Sequence, residues 1–338
     1  MSIDDIIYFT LLSRIENESI ESYVDMHSIS DLIYKANNYF RNEPPLLRIK
    51  RDSIKVVGDI HGNIDDLIRI FEKFGYPPET TYLFLGDYID RKLFGIEVMC
   101  ILSALKCKFP DNIFLLRGNH ESPTIPKHFG FFNECIRKYT SSLFYDFTDL
   151  FKYLPVAAII NDKVFCVHGG LSPLAKSVKD IEGTKKVEYL DDNELIEDLL
   201  WSDPRTIDAE FRPSPRGSGY FFNEKALQKF LDNNSLKFMI RSHEMCKDGF
   251  NQPFENKSIC YTIFSNSNYC DFGNKAAVIT ISNNSDINIQ SFEHEKDDNG
   301  KRRILIPEWV MKSNKCVKIS QKSEEQIECS QPEVVFDD

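Results

Sequence analysis

The sequence predicts an α/β protein with α+β character: a central β-sandwich of two mixed sheets flanked by helices. Three observations carry this. Between residues 50 and 120 short apolar runs alternate with longer amphipathic ones. From about residue 163 five further short apolar runs follow, and the last three are spaced for antiparallel pairing. No Gly/Ser-rich or Pro-rich linker and no repeat divides the chain, so both groups belong to one domain.

Residues 1–45 read as a helical segment packed on that domain. Ser2 with Asp5 forms a capping-box pattern before Ile6, Ile7 and Leu11. Ser28 with Asp31 does the same before Ile29, Leu32, Ile33, Ala36 and Phe40, and Pro44 and Pro45 stop that second helix. Within the main domain, 46–293, the runs SIKVVGD, DDLIRIFEKFG, TYLFLGD, GIEVMCILSALKCKFP and NIFLLRGNH give a βαβαβ order. Such an order predicts parallel strands with right-handed crossovers. KVFCVHGG, FMIRSHE, CYTIFSNSNY, AAVITIS and INIQSFE read as later strands. Residues 294–338 are polar and mixed in charge, the composition of a solvated, partly disordered tail.

Composition narrows the function. The 338 residues are 42% hydrophobic and 28% charged, enough to bury a large core. Fifty-two acidic against 41 basic residues give a formal charge of -11, which argues against nucleic acid as a partner because phosphate backbones demand clustered cations. Nine cysteines without a CxxC pair fit reduced thiols rather than a disulfide framework or zinc ribbon. No run approaches 18 apolar residues and the N-terminus is acidic, so the expectation is an intracellular protein, cytoplasmic or nuclear, without a membrane partner.

Chemistry concentrates where strands end. Gly58-Asp59-Ile60-His61-Gly62, Gly86-Asp87-Tyr88-Ile89-Asp90-Arg91, Arg117-Gly118-Asn119-His120-Glu121 and Val167-His168-Gly169-Gly170 each follow an apolar run. Strand C-termini of a parallel sheet share one edge, so these segments meet in one crevice. Singly, an Asp there caps the next helix and a His is a satisfied structural residue. Together, clustered carboxylates repel one another unless cations intervene. Asp oxygen, Asn oxygen and neutral imidazole suit a pair of first-row divalent ions such as Mn, Fe or Zn better than calcium.

On these motifs the sequence resembles the phosphoprotein phosphatase family of Ser/Thr phosphatases, which includes types 1, 2A and 2B, and so the metallophosphoesterase (calcineurin-like) fold. His168 to Pro173, Trp201-Ser202-Asp203-Pro204, Arg216-Gly217, Arg241-Ser242-His243 and Asn268-Tyr269-Cys270 follow in the family's order. The resemblance covers residues 5–293 and makes 46–293 a catalytic domain. It implies that Asp59, His61 and Asp87 bind one metal while Asp87, Asn119, His168 and His243 bind the second, Asp87 bridging. Manganese is the expected metal, with iron and zinc sharing the ligand set. It further implies direct attack of a metal-bridging water or hydroxide on phosphoserine or phosphothreonine. Arg91, Arg216 and Asn119 would hold the phosphate, Tyr269 would line the cleft, and His120, oriented by Asp90, would protonate the leaving group.

Phosphorylated proteins are then the substrates, regulatory or targeting subunits the partners, and microcystin- or okadaic-acid-type compounds candidate inhibitors, with Cys270 in reach of the former. Arg117 either reaches phosphate or makes a structural ion pair, and Asp203 either serves the site or braces a turn. The chain departs from the family at Lys92, where Gly is usual and an unusual backbone angle is in question. It departs also at Pro215, at Glu244 in place of Gln, and at Asn266 and Ser267. Residues 66–173 look most like type 1 and Gly273 to Ala277 like other branches, so the subtype stays open. Gln252 to Asn256 is polar where a type-1 docking groove is apolar. Two other readings are a metallophosphoesterase acting on diadenosine polyphosphates or nucleic acid, and a catalytically silent scaffold.

Overall fold

The structure, a computed structural model, describes residues 1–254, 258–294 and 304–314. Helix α1 (Ile3–Ile15) starts as the capping pattern requires, with the Asp5 amide donating to Ser2 Oγ at 3.1 Å and the Ser2 amide to Asp5 Oδ2 at 3.0 Å. Helix α2 (Met26–Asn42) corrects the second expectation. Its cap is Asp25, which accepts both the amide and the hydroxyl of Ser28 at 2.8 Å. The anionic side chain at the helix N-terminus prevails over the box expected at Ser28 and Asp31.

Strands β1 (Leu46–Ile49) and β2 (Ser53–Val57) follow, then α3 (Ile64–Phe74), β3 (Tyr82–Phe84), α4 (Gly95–Lys108) and β4 (Ile113–Leu115). Here β2, β3 and β4 are parallel neighbours, in register at Val57, Phe84 and Leu115, as the βαβαβ pattern requires. Helices α5 (Pro126–Phe129), α6 (Phe131–Lys138) and α7 (Ser141–Phe151) come next. With α1, α2 and α4 they bury an aromatic cluster around Phe131, Phe144, Phe147 and Phe151.

The remainder runs β5 (Ala157–Ile160), β6 (Val164–Val167), α8 (Val178–Glu182), α9 (Glu194–Trp201), β7 (Asp203–Pro204), β8 (Phe211–Pro213), β9 (Tyr220–Phe222) and α10 (Glu224–Asn233). It closes with β10 (Phe238–Arg241), β11 (Phe250–Asn251), β12 (Cys260–Ile263), β13 (Ala276–Ser282), β14 (Ile287–Phe292) and α11 (Glu308–Asn314). Among the described residues two large sheets form, ordered β1-β5-β6-β10-β12-β11 and β14-β13-β2-β3-β4, with a small sheet β7-β9-β8 beside them. Ile54, Val56 and Leu83 of one sheet share an apolar core with Ala158, Ile240 and Ile263 of the other. Helices cover both outer faces.

Two expectations need correction. β13 and β14 pair antiparallel, but β12 lies in the opposite sheet, parallel to β10 at Met239 and Cys260. All four of its residues are buried, so it takes neighbours on both sides. The expected solvated tail is in part packed over residues 304–310. Ile304, Ile306 and Trp309 pack on the helical cluster, Val310 is fully buried, and Trp309 meets Phe109 edge-on at 5.2 Å. The rest of that tail, 295–303 and 315–338, lies outside the described residues.

Candidate active site

The polar segments after β2, β3 and β4 come from one sheet, and those after β6 and β10 from the other. A bridge between Asp59 and Phe264 helps join the sheets at this mouth, as does the Ala277 amide, which donates to the Phe264 carbonyl at 2.9 Å. The chain is bent hard to aim the side chains: His61 (φ 46°), Asp87 (54°), Asp90 (69°), Arg91 (71°) and His243 (68°) all adopt left-handed backbone, which costs a non-glycine residue on the order of 1 kcal/mol each. Lys92, where the question was raised, is not among them. A buried Glu121 holds two of these loops together, accepting the amides of Asp87 (2.7 Å), Tyr88 (2.9 Å) and Gly118 (2.9 Å). Any Cβ on Gly118 would collide with the Asp87 carboxylate and amide, so glycine is required there.

Asp87 is the centre. Its Oδ2 lies 3.4 Å from His61 Nε2, and its Oδ1 lies 3.4 Å from His168 Nε2. His168 Nε2 is also 2.9 Å from Asn119 Oδ1 and 3.2 Å from His243 Nδ1. Asp59 Oδ2 stands 3.5 Å from His61 Nε2. The groups His61, Asp87, His120 and Asp87, His168, His243 each bring one ligand atom per residue within 4.8 Å of the others. His120 thus lies beside His61 and Asp87, its Nε2 4.0 Å from Asp87 Oδ2. The other oxygen of Asp59, Oδ1, accepts the Ser242 hydroxyl and the His243 amide, the latter at 3.1 Å.

This donor set fits two divalent cations. His61 Nδ1 bonds the Ile89 carbonyl at 2.8 Å and His168 Nδ1 the Leu85 carbonyl at 3.1 Å, so both Nδ1 atoms donate and both Nε2 atoms turn inward. Ligands about 2.1 Å from one ion are roughly 3.0–3.4 Å apart at octahedral or tetrahedral angles, close to the observed spacings. His243 Nε2 is buried without a hydrogen-bond partner among the described residues.

The electrostatics agree. Burial opposes charge on His61, yet Asp59 and Asp87 overcome it and push the imidazole up to about 9. Burial raises the Asp87 carboxyl, but the His168, His120 and His61 imidazoles outweigh it and hold Asp87 well below the usual carboxylate range. His243 is held well below the usual histidine range by burial, and by His168 and Arg241 in addition.

Beside the clusters the cleft, about 530 Å³, carries anion-binding groups. The Arg91 guanidinium lies 4.2 Å over the Phe129 ring and has no carboxylate partner among the described residues. Arg216 enters from the loop before β9, its Nε donating to Asp203 Oδ2 at 2.7 Å. His120 is buried, its Nδ1 2.6 Å from Asp90 Oδ2, while Asp90 Oδ1 accepts the Phe131 amide at 2.9 Å. Tyr269 stacks on His61 at 5.4 Å, and Trp201 meets His243 edge-on at 5.5 Å.

The structure thus brings together Asp59, His61, Asp87, Asp90, Arg91, Asn119, His120, His168, Arg216, His243 and Tyr269. Arg117 is separated from them. It is fully buried and donates to the carbonyls of Glu121, Val187 and Glu188, so it anchors the segment at 187–188 and makes no ion pair among the described residues. Asp203 is buried and braces both Arg216 and Arg241. Cys270 is exposed. Of Gln252 to Asn256 only the first three residues are described, and Phe254 is buried. Sequence reasoning assigned no role to Glu121 or to the Arg205–Glu244 ion pair; their only signal was position, beside His120, Pro204 and His243.

Residues 53–247 match the family of calcineurin-like phosphoesterases. A PP2A-like serine/threonine-protein phosphatase, PPG1 of Candida albicans, is 40% identical over 257 residues. That alignment covers 75% of this chain but 61% of the relative, under two thirds of its length. The solved structure of a protein serine/threonine phosphatase from Saccharomyces cerevisiae, with similarity to human phosphatase PP5, superposes with a TM-score of 0.78 at 32% identity, covering 86% of this chain and 97% of that one. The fold alone is shared with a cold-active protein-tyrosine phosphatase of a Shewanella species, TM-score 0.53 at 16% identity over 75% of this chain and 84% of that one. With the sheet order, the paired carboxylate–imidazole clusters and these matches in hand, the chain belongs to the calcineurin-like phosphoesterases, metal-dependent enzymes that use two divalent ions, on their serine/threonine-phosphatase branch.

Proposed function

We propose that this chain is a protein serine/threonine phosphatase, hydrolysing phosphoserine and phosphothreonine on other proteins with two divalent cations. One observation carries the reading: Arg91 and Arg216 converge on the same open cleft as two carboxylate–imidazole clusters that share Asp87. Asp59, His61 and Asp87 would hold one cation, and Asp87, Asn119, His168 and His243 the other. Manganese is the ion we favour, with iron and zinc suited to the same mixed oxygen and nitrogen donors. When bound, the cations supply Lewis acidity toward a phosphoryl oxygen and toward an attacking water.

The protein's own groups do the rest. The forked donors of Arg91 and Arg216, with the Asn119 amide, orient the phosphate. Asp90 occupies His120 Nδ1, so His120 Nε2 faces the cleft and delivers its proton to the leaving serine or threonine oxygen. Tyr269 walls one side. An open cleft of this kind leaves the choice of phosphosite to regulatory or targeting subunits, and the exposed Cys270 is a contact for microcystin-type inhibitors. We place the protein inside the cell, in keeping with the free cysteines among the described residues.

The test is initial-rate phosphate release from a phosphoserine or phosphothreonine peptide at neutral pH with added Mn, against chelator and His120→Asn. Release should need metal and fall about 10²–10⁴-fold in His120→Asn with both metals retained. Asp59→Asn should instead lose metal; equal depletion in both variants would refute this division of roles. No release from wild-type protein with two metals bound would reject the reading in favour of diesters or a scaffold.

A further inference from the structure

The wall of the cleft beside Arg216 presents a difficulty for any phosphate ligand. Glu244 lines the cleft, and its Oε1 lies 3.9 Å from Arg216 Nη2. A carboxylate there competes with a phosphate dianion for the guanidinium and repels it. From the geometry of its neighbours we infer that Arg205 is a positioning residue that neutralises Glu244 and so sets the anion affinity of Arg216. The inference rests on the phosphatase reading above.

Arg205 does not line the cleft. It grips Glu244 from behind with both ends of its fork, Nη1 2.9 Å from Oε2 and Nη2 against Oε1. The fork is held in place although the side chain is 38% exposed: Nη1 also donates to the Pro204 carbonyl at 2.7 Å, and the guanidinium lies 5.0 Å from the centre of the Phe221 ring. Arg241 cannot do the same work alone. Its Nη1 reaches Glu244 Oε2 at 3.0 Å, but its Nε is committed to the Gly169 carbonyl at 2.6 Å and its Nη2 to Asp203 Oδ1 at 2.7 Å.

Asp203 in turn uses its other oxygen on Arg216 Nε. Two carboxylates and three guanidiniums therefore interlock, with one positive charge left over, and Arg216 is the member that faces the ligand. Removing Arg205 cancels that surplus and releases Glu244 toward Arg216. Replacing Glu244 by a neutral amide removes the competitor itself. The two changes should therefore offset each other in phosphate affinity while fold and metal content stay unchanged, whereas an ion pair that only braces the fold would shift stability instead.

The experiment is a double-mutant cycle in Arg205→Gln and Glu244→Gln on the full chain loaded with Mn, read as competitive inhibition by inorganic phosphate and as KM and kcat for a phosphopeptide. Arg205→Gln should raise the phosphate inhibition constant and KM by on the order of tenfold, with kcat within about threefold. The double variant should return both constants to the wild-type values or below, and Arg205→Lys should recover part of the loss. Metal content and far-ultraviolet circular dichroism confirm that each variant is folded. An unchanged inhibition constant in Arg205→Gln overturns the inference, and so does a double variant as weak as Arg205→Gln alone. Turnover of the phosphopeptide by wild-type protein with neither effect in the variants removes only this inference; wild-type protein that neither hydrolyses phosphopeptide nor binds phosphate removes the functional reading with it.

Discussion

Asp87 offers one oxygen to each cluster while its amide is held by Glu121 and its backbone sits in the left-handed region, so a single residue joins strand, loop and chemistry. Such residues were legible because each follows a short apolar run and adjoins glycine. Glu121 and Arg205 were not, since a carboxylate that clasps amides, or an arginine paired with a residue 39 positions away, leaves no local pattern. At this scale one buried carboxylate outside the cleft gives a pH signature. Asp198 accepts the Ser172 hydroxyl at 2.6 Å, and burial pushes its carboxyl up to about 6. Its folded value thus exceeds its unfolded one, so the charged form costs stability that is absent below about pH 4 and fully felt above pH 6. Asp198→Asn should stabilise the fold by about 1–2 kcal/mol at pH 8, with the gain vanishing toward pH 4 in urea unfolding.

Among the elements, the parallel β2–β3–β4 unit with its two crossover helices could be read directly, because period and length both change from strand to helix. The small sheet of β7, β8 and β9 could not, its strands being too short to show alternation. Nor could the place of β12, since a fully buried strand looks alike in either sheet. The loop after β3, which carries Asp90 and Arg91, is tied to α4 and α6 by a buried ammonium. Lys138 Nζ meets Glu97 at 2.7 Å, Glu134 at 2.8 Å and the Leu93 carbonyl at 2.7 Å, while Glu134 also accepts the amides of Gly95 and Ile96. Lys138→Met should strand two carboxylates and lower stability by about 3–5 kcal/mol in denaturant unfolding.

At the scale of the whole molecule, the cation sites and the fold are linked by mass action. Added Mn should raise the melting temperature, with a stabilisation of about 2.7 kcal/mol at a hundredfold excess over Kd, and chelator should reverse it. Because neighbouring carboxylates hold a proton on His61, binding should release protons and tighten from pH 6 to pH 8, which calorimetry in two buffers would register. The two-sheet architecture was visible in the sequence; the docking of residues 304–310 on the helices was hidden by the charged run before it. One further consequence concerns how the protein is made. Asp59 receives the amide of a residue 184 positions later, and β2 gains its second neighbour only when β13 arrives. On the ribosome, then, Asp59, His61 and Asp87 emerge long before the partners that complete their site. The full donor set is therefore assembled only after His243 and β13 have been made, and a nascent chain arrested before β10 lacks the second cluster.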